Sequence, residues 1–324
     1  MKRLFRVIGL LLVSCQFLTA QYDAQLSNHW AAPNYFNPGY AGSTENLDVT
    51  LLNRMQWVGL TKRTPKTMML AGEMPFNFFN RTHGVGLMML TESAGLFNHS
   101  LIAVQYAYKK DLWKGKLSIG FQAGYLNDSF DGGEIEIPES EDHEQPDNDE
   151  DLPTGEIEGS SADFGLGIYY SKKNWYAGFS VTHLLSPTVE LGEKHIKELP
   201  RGYYLMGGYN IQLNNPLLEL RSSLLAKSTI LMTQADLTLR LVYNKSFYGG
   251  LSWRYGYAEI GNSESVIVML GGKYKNFQAG YAYDFPTSAI RLRSMGSHEI
   301  FIKYVIDLGL GKKGKNKHKS IRIL

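Results

Sequence analysis

Residues 115–127 read Gly-Lys-Leu-Ser-Ile-Gly-Phe-Gln-Ala-Gly-Tyr-Leu-Asn. Leu117, Ile119, Phe121, Ala123 and Tyr125 fall on one face; Ser118, Gly120, Gln122 and Gly124 fall on the other. That is the period of two that a β-strand imposes on its side chains. The same alternation sets Leu237, Leu239, Leu241 and Tyr243 against Asp236, Thr238 and Arg240. It sets Phe277, Ala279, Tyr281, Tyr283 and Phe285 against Gln278, Gly280 and Asp284, and Ile300, Ile302, Tyr304, Ile306 and Leu308 against Lys303 and Asp307. A soluble sandwich alternates too, so the polar face decides. Here it is made of Gly, Ser, Thr and Gln with isolated charges, while aromatics gather near the ends of the apolar face. Strands that are apolar outside, polar inside and girdled by aromatics belong to a membrane barrel.

Working outward, the alternation predicts strands over 47–59, 66–74, 84–92, 98–110, 115–127, 162–171, 174–185, 201–212, 217–227, 234–244, 246–258, 264–275, 276–285 and 297–308. That is an all-β transmembrane outer-membrane barrel of about fourteen antiparallel strands over 47–308, an even number as such barrels require. The stretch 217–227 keeps the alternation least well. Tight connections at Lys172-Lys173-Asn174, Asn214-Asn215-Pro216, Asn244-Lys245 and Lys275-Asn276 alternate with longer ones at 128–161, 186–200 and 286–296. Short periplasmic turns and long outer loops have this phase. It places both termini in the periplasm and 128–161 outside, with 75–83 as the one long connection on the periplasmic side.

The totals agree. Among 324 residues, 33 are Gly and 20 are Tyr, only 20% are charged, and the formal net charge of +2 gives no reason to expect a nucleic-acid partner. One cysteine, Cys15, excludes a disulfide framework and a Cys-based metal site. Residues 1–20 read as a signal peptide: Lys2, Arg3 and Arg6 precede a short apolar core, and Leu18-Thr19-Ala20 ends in a small residue. The rival reading is a lipobox, Leu12-Val13-Ser14-Cys15. No later window has the run of about 18 apolar residues that a membrane helix needs.

Asn37-Pro38-Gly39-Tyr40-Ala41-Gly42 precedes the first strand, which ends in Arg54-Met55-Gln56-Trp57-Val58-Gly59, and Pro65-Lys66-Thr67 follows. Taken alone this is turn chemistry, with Trp57 as an anchor at a membrane interface. Together with the opening Gln21-Tyr22-Asp23-Ala24-Gln25-Leu26-Ser27, and with Gly84-Val85-Gly86-Leu87 before Glu92-Ser93-Ala94-Gly95, it resembles the PorP/SprF family of type IX secretion system membrane proteins over about residues 21–125. The motif positions are Asn37, Pro38, Tyr40, Ala41, Gly42, Arg54, Gln56, Trp57, Gly59, Pro65, Lys66 and Thr67. The resemblance implies a non-enzymatic outer-membrane component that assists secretion or surface anchoring of large proteins, such as gliding adhesins. Its implied partners are the secretion channel, the periplasmic ring and a secreted surface protein, and its implied cofactor is none. The barrel by itself fits equally a passive porin or small-solute transporter.

Other stretches bear on function. Between Glu134 and Glu158 there are about twelve carboxylates and no Lys or Arg. Asp147, Asp149, Asp151 and Glu158 have the spacing of a Ca²⁺ loop, but Leu152 replaces the Gly of position 6 and Pro153 follows it, so a solvated acidic loop is the plainer reading. A basic tail, 309–324, carries Lys312, Lys313, Lys315, Lys317, Lys319 and Arg322, on the side of turn lysines such as Lys172, Lys173, Lys245 and Lys275. Segment 21–46 lacks period two and reads as a periplasmic cap or plug. Arg240, Arg254, Glu219, Asp236, Gln122 and Gln278 are candidates to face the lumen. No nucleophile elbow, zinc-protease motif or phosphate-binding Gly loop occurs, and the eight histidines stand singly. No enzyme is expected.

Overall fold

A computed structural model describes residues 23–79, 81–134, 153, 155–192, 195–230, 232–258, 261–287 and 289–309. Its strands are β1 (Asn46–Met55), β2 (Lys66–Phe78), β3 (Arg81–Ala94), β4 (Phe97–Leu112), β5 (Gly115–Asp131), β6 (Glu156–Ser171), β7 (Trp175–Thr182), β8 (Thr188–Leu191), β9 (His195–Glu198), β10 (Gly202–Gln212), β11 (Leu218–Ser228), β12 (Met232–Tyr243), β13 (Phe247–Ala258), β14 (Gly261–Tyr274), β15 (Phe277–Pro286) and β16 (Ser297–Asp307). All but β8 and β9 form one closed antiparallel barrel of fourteen strands. Each pairs with its chain neighbour, β7 pairs with β10, and β1 closes on β16 from Asn46↔Asp307 to Met55↔His298. Every segment expected as a strand is a barrel strand, 217–227 included.

The faces follow the sequence. Leu237, Leu239 and Leu241 of β12 point outward, each nearly half exposed, while Asp236, Thr238 and Arg240 are buried in the lumen. Exposed aromatics ring both ends: Phe79, Trp113, Phe247 and Tyr274 at one, Trp253, Tyr257 and Phe285 at the other. Such girdles hold a barrel at the two membrane–water interfaces.

Several boundaries differ from expectation. β1 stops at Met55, because Trp57 and Gly59 turn the chain with φ of 48° and 86°. β2 and β3 run on to Phe78 and Arg81, so the apparent long connection 75–83 shrinks to residues 79–80. At that end the longest connection is the five-residue 213–217. At the other end 56–65, 132–155, 183–201 and 287–296 are long, but 95–96, 229–231 and 259–260 are as short as the turns opposite. The alternation of short and long is therefore real on one end and partial on the other. The connection 183–201 carries a hairpin of its own, β8–β9, which has no sequence signature because each strand has four residues.

The lumen is not uniformly polar. Leu52, Met69, Met88, Leu126, Leu225, Ile267, Met269 and Phe301 face inward and are almost fully buried. They enclose residues 23–45, which lie inside the barrel. Asp23 sits at the long-loop mouth, and the chain runs down the lumen to Thr44 beside β1 at the short-turn end. The described segment thus enters the lumen from the long-loop end; the two ends of the chain, expected at the short-turn end, lie outside the described residues. Residues 1–20, Asp147, Asp149, Asp151 and the basic residues of 310–324 lie outside the described residues; Glu158 is on β6.

Candidate functional site

Residues 23–45 are compact for physical reasons. Pro33 starts a one-turn helix, α1 (Pro33–Phe36), and Pro38 starts a 3-10 turn to Tyr40, each supplying a φ already suited to a helical turn. Leu26, Ala31, Ala32, Tyr35 and Phe36 pack on the inward apolar band. Asn37 caps the second turn, accepting from Gly39 N at 2.8 Å, and donates to the Ile168 carbonyl at 3.1 Å.

The motif Asn37–Gly42 is seated on glycines of the wall. A Cβ at Gly120 would run into the backbone of Pro38 and Gly39, one at Gly167 into the Asn37 amide oxygen, and one at Gly84 into the Ala41 carbonyl. Gly42 takes φ of 62° and donates its N–H to Glu73 at 3.0 Å. The glycines on the lumen side of β3, β5 and β6 thus make the groove in which the plug backbone lies, a close approach that only glycine permits.

Five strands converge on residues 26–28. Arg54 of β1 donates to Asp284 of β15 at 2.7 Å and to Ser27 Oγ at 2.6 Å, and lies 3.5 Å from Glu299 of β16. Glu299 accepts from the backbone N–H groups of Ser27 and Asn28, both at 2.6 Å. Arg254 of β13 binds Asp284 at 2.8 Å and Asp236 of β12 at 2.8 Å, and donates to the Leu26 carbonyl at 3.0 Å. All five charged groups are buried. Beside them the Arg240 guanidinium lies 3.5 Å from the Trp30 ring centroid. His29 Nε2 lies 3.2 Å from the Ser223 hydroxyl.

At the long-loop mouth a second lock holds Asp23. His183 donates from one ring nitrogen to Asp23 at 2.8 Å and from the other to Asp163 at 2.9 Å. Tyr204 and Thr182 also donate to Asp23. Burial would lower the His183 value, but the Asp23 and Asp163 carboxylates overcome it and raise it to about 10. Burial would raise Asp23, but the His183 imidazolium and the hydrogen bonds from His183 and Tyr204 hold it well below the carboxylate range. The signs fix a window. The His183 contribution is complete below the free imidazole value of about 6.5 and is lost as pH rises through about 10. The Asp23 contribution is complete above about 4 and is lost as pH falls through its lowered value. Amide-exchange protection of residues 23–26 should therefore be greatest between about pH 4 and 6.5 and fall at least tenfold past pH 10. In His183→Gln it should be low and lack that alkaline step; wild-type protection unchanged from pH 6 to 11 would dismiss the lock.

Above this lock lies a cup of about 920 Å³ open at the long-loop end. Phe97, Phe130, Ile157, Leu191 and Leu199 line it, with Lys227 and Glu92 among its polar groups. The β8–β9 hairpin forms one side, tied to the wall where Lys197 and His99 both bind Asp128, at 2.6 and 2.5 Å.

The motif residues have found distinct places. Asn37, Pro38, Tyr40, Ala41 and Gly42 are the plug turn; Arg54 pins it. Gln56 donates to Gln25 of the plug at 3.4 Å, and Pro65 accepts from Gln56 N at 2.8 Å. Thr67 donates to Glu92 at 3.2 Å, while Lys66 is exposed at the start of β2. Trp57 lines the cup instead of anchoring in lipid, and its backbone N–H donates to the Ser297 hydroxyl at 3.2 Å. Of the lumen candidates, Arg254 and Asp236 join the network, Gln122 accepts from Gln105 at 2.8 Å, and Glu219 faces inward, paired with Arg221 at 3.0 Å. Sequence reasoning missed Asp23, Ser27, His183 and Glu299. Charges at inward positions of Ile-flanked strands, such as Glu299, were the available signal.

Comparison with known proteins adds the following. The family model described as type IX secretion system membrane protein PorP/SprF matches residues 18–304. No curated protein matches the chain. Among solved structures, the CymD monoaromatic hydrocarbon channel aligns with a TM-score of 0.53 at 10% identity, covering 85% of this chain and 92% of that one. Omp33 of Acinetobacter baumannii aligns at 0.45 and 8% identity, covering 81% and 98%. CdiB of the same species aligns at 0.39 and 8% identity; 80% of this chain is covered, and it spans 60% of CdiB. The CymD likeness is one of fold, an outer-membrane β-barrel.

Proposed function

Because the chain belongs to the PorP/SprF family of type IX secretion system membrane proteins, we propose that it works in the outer membrane as a non-enzymatic accessory that helps secrete or anchor large surface proteins, gliding adhesins among them. The observation that supports this reading over a passive porin is the filled lumen: residues 23–45 occupy the barrel from mouth to mouth and are bound to it at both ends. A solute pore needs an open path; an accessory needs two presentable ends. Here the long-loop end offers the cup. The short-turn end offers a lysine-rich rim, with Lys110, Lys114, Lys173, Lys245 and Lys275 at or beside its turns, suited to an acidic partner in the periplasm such as the secretion ring.

The test is a deletion strain. Loss of large surface proteins from the cell, with small-solute uptake unchanged, is the expected outcome. Normal surface proteins with impaired solute uptake would favour the porin.

A further inference from the structure

One sector of the long-loop rim is built differently from the rest. The connections 56–65 and 287–296 flank the β1–β16 closure and are clasped together, Val58 N–H donating to the Gly296 carbonyl at 2.9 Å and Met295 N–H to the Val58 carbonyl at 2.7 Å. Tyr283 belongs to the lipid-facing row of β15 with half-exposed Phe285, and its hydroxyl donates to the Met295 carbonyl at 2.8 Å. The second loop is therefore hung on the outer wall of the barrel, at the level of the aromatic girdle, and does not fold over the lumen. Leu292 and Met295 project from it, 81% and 70% exposed, next to exposed Arg291 and Arg293. Lys62 and Arg63 stand on the clasped loop. Neither loop contains Asp or Glu. The nearest carboxylate of the neighbouring strand, Glu264 of β14, takes the Thr287 hydroxyl at 3.5 Å.

Apolar side chains of this size left in water are unfavourable, and Lys62, Arg291 and Arg293, like charges on two clasped loops, repel one another. Both costs vanish if the sector meets a lipid, with Leu292 and Met295 among acyl chains and the cations on phosphate. Guanidinium groups suit phosphate because their forked N–H groups make paired, charge-assisted hydrogen bonds. We propose that this sector binds the phosphorylated headgroup of an outer-leaflet glycolipid, lipid A in chemical type. Arg291, Arg293 and Lys62 hold phosphate, and Leu292 and Met295 seat in its acyl chains. None of these five side chains lines the cup, so the proposal stands or falls independently of the secretion reading.

The test uses the purified full-length barrel in detergent and native mass spectrometry with three added lipids: bis-phosphorylated lipid A, the same lipid dephosphorylated, and phosphatidylglycerol. Wild type should retain bis-phosphorylated lipid A at least tenfold better than either of the others. The variant K62Q/R291Q/R293Q, checked for an intact barrel by heat-modifiable gel migration, should lose that preference. The double variant L292S/M295S should weaken retention of all three lipids while keeping the phosphate preference. Equal retention of lipid A by wild type and the charge variant would overturn the proposal. So would equal retention of the dephosphorylated lipid or of phosphatidylglycerol by wild type.

Discussion

Replacing Arg54 with alanine is expected to destabilise the folded barrel by roughly 3–5 kcal/mol, the usual cost of removing one partner from a buried charge network. Arg54 is 1% exposed and reaches Ser27, Asp284 and Glu299 at once. Its loss leaves Asp284 with Arg254 as its one guanidinium beside the Ser27 hydroxyl, and leaves Glu299 buried on two backbone N–H groups and Asn28 without a facing guanidinium. Denaturant unfolding of the reconstituted protein measures the loss. Most of the cost is the stranded acid, so adding Glu299→Gln to Arg54→Ala should recover part of it. A single variant within about 1 kcal/mol of wild type, the size of an exposed ion pair, would mean the network is far wetter than its burial indicates.

A second substitution acts on shape alone. Gly120→Val puts two methyl groups where the backbone of Pro38 and Gly39 lies, and neither the plug backbone nor strand β5 is a flexible side-chain tip that can step aside. β5 pairs with β4 and β6 along its whole length, so the wall is the stiffer partner and the plug is what gives way. The expected result is a barrel that still forms but has an unseated turn at 37–42. A cysteine at Tyr40, protected in the wild-type background, should become reactive to a water-soluble maleimide, with at least a tenfold faster rate. Gly84→Val, against the Ala41 carbonyl, should act in the same way. Gly249, with nothing near its Cβ position, supplies the control: Gly249→Val should leave the rate unchanged.

These two sites also mark how far the chain could be read before its structure was known. The fourteen strands were legible because lipid on one side and lumen on the other enforce an alternation that few residues break. Where it blurs, as in β11, the cause is local: Leu225 faces inward onto the plug, and Ser222 faces outward but spends its hydroxyl on the Tyr209 carbonyl. Asn37–Gly42 was legible as a motif and not as a plug. Its role depends on which glycines of distant strands line up beneath it, and Gly84, Gly120 and Gly167 are indistinguishable in sequence from other glycines of a polar strand face. The Asp23–His183–Asp163 lock joins a neighbouring pair, Asp163 on β6 and His183 just past β7, to Asp23, which lies 140 or more positions earlier, and nothing near Asp23 in the chain announces the pair. A tryptophan at a strand end usually marks an interface, but Trp57 takes a φ of 48° and lines the cup.

Single-channel recording of the purified wild-type barrel in a planar bilayer bears most directly on the central claim, that the chain closes its own lumen. With residues 23–45 seated on the wall glycines and bound by Arg54, Glu299 and His183, the membrane should stay silent at moderate voltage, and Gly120→Val inserted in the same way should give steady ohmic openings. Steady openings from the wild-type protein, of the size expected for an empty fourteen-strand barrel, would contradict the closed lumen and return the passive porin to first place.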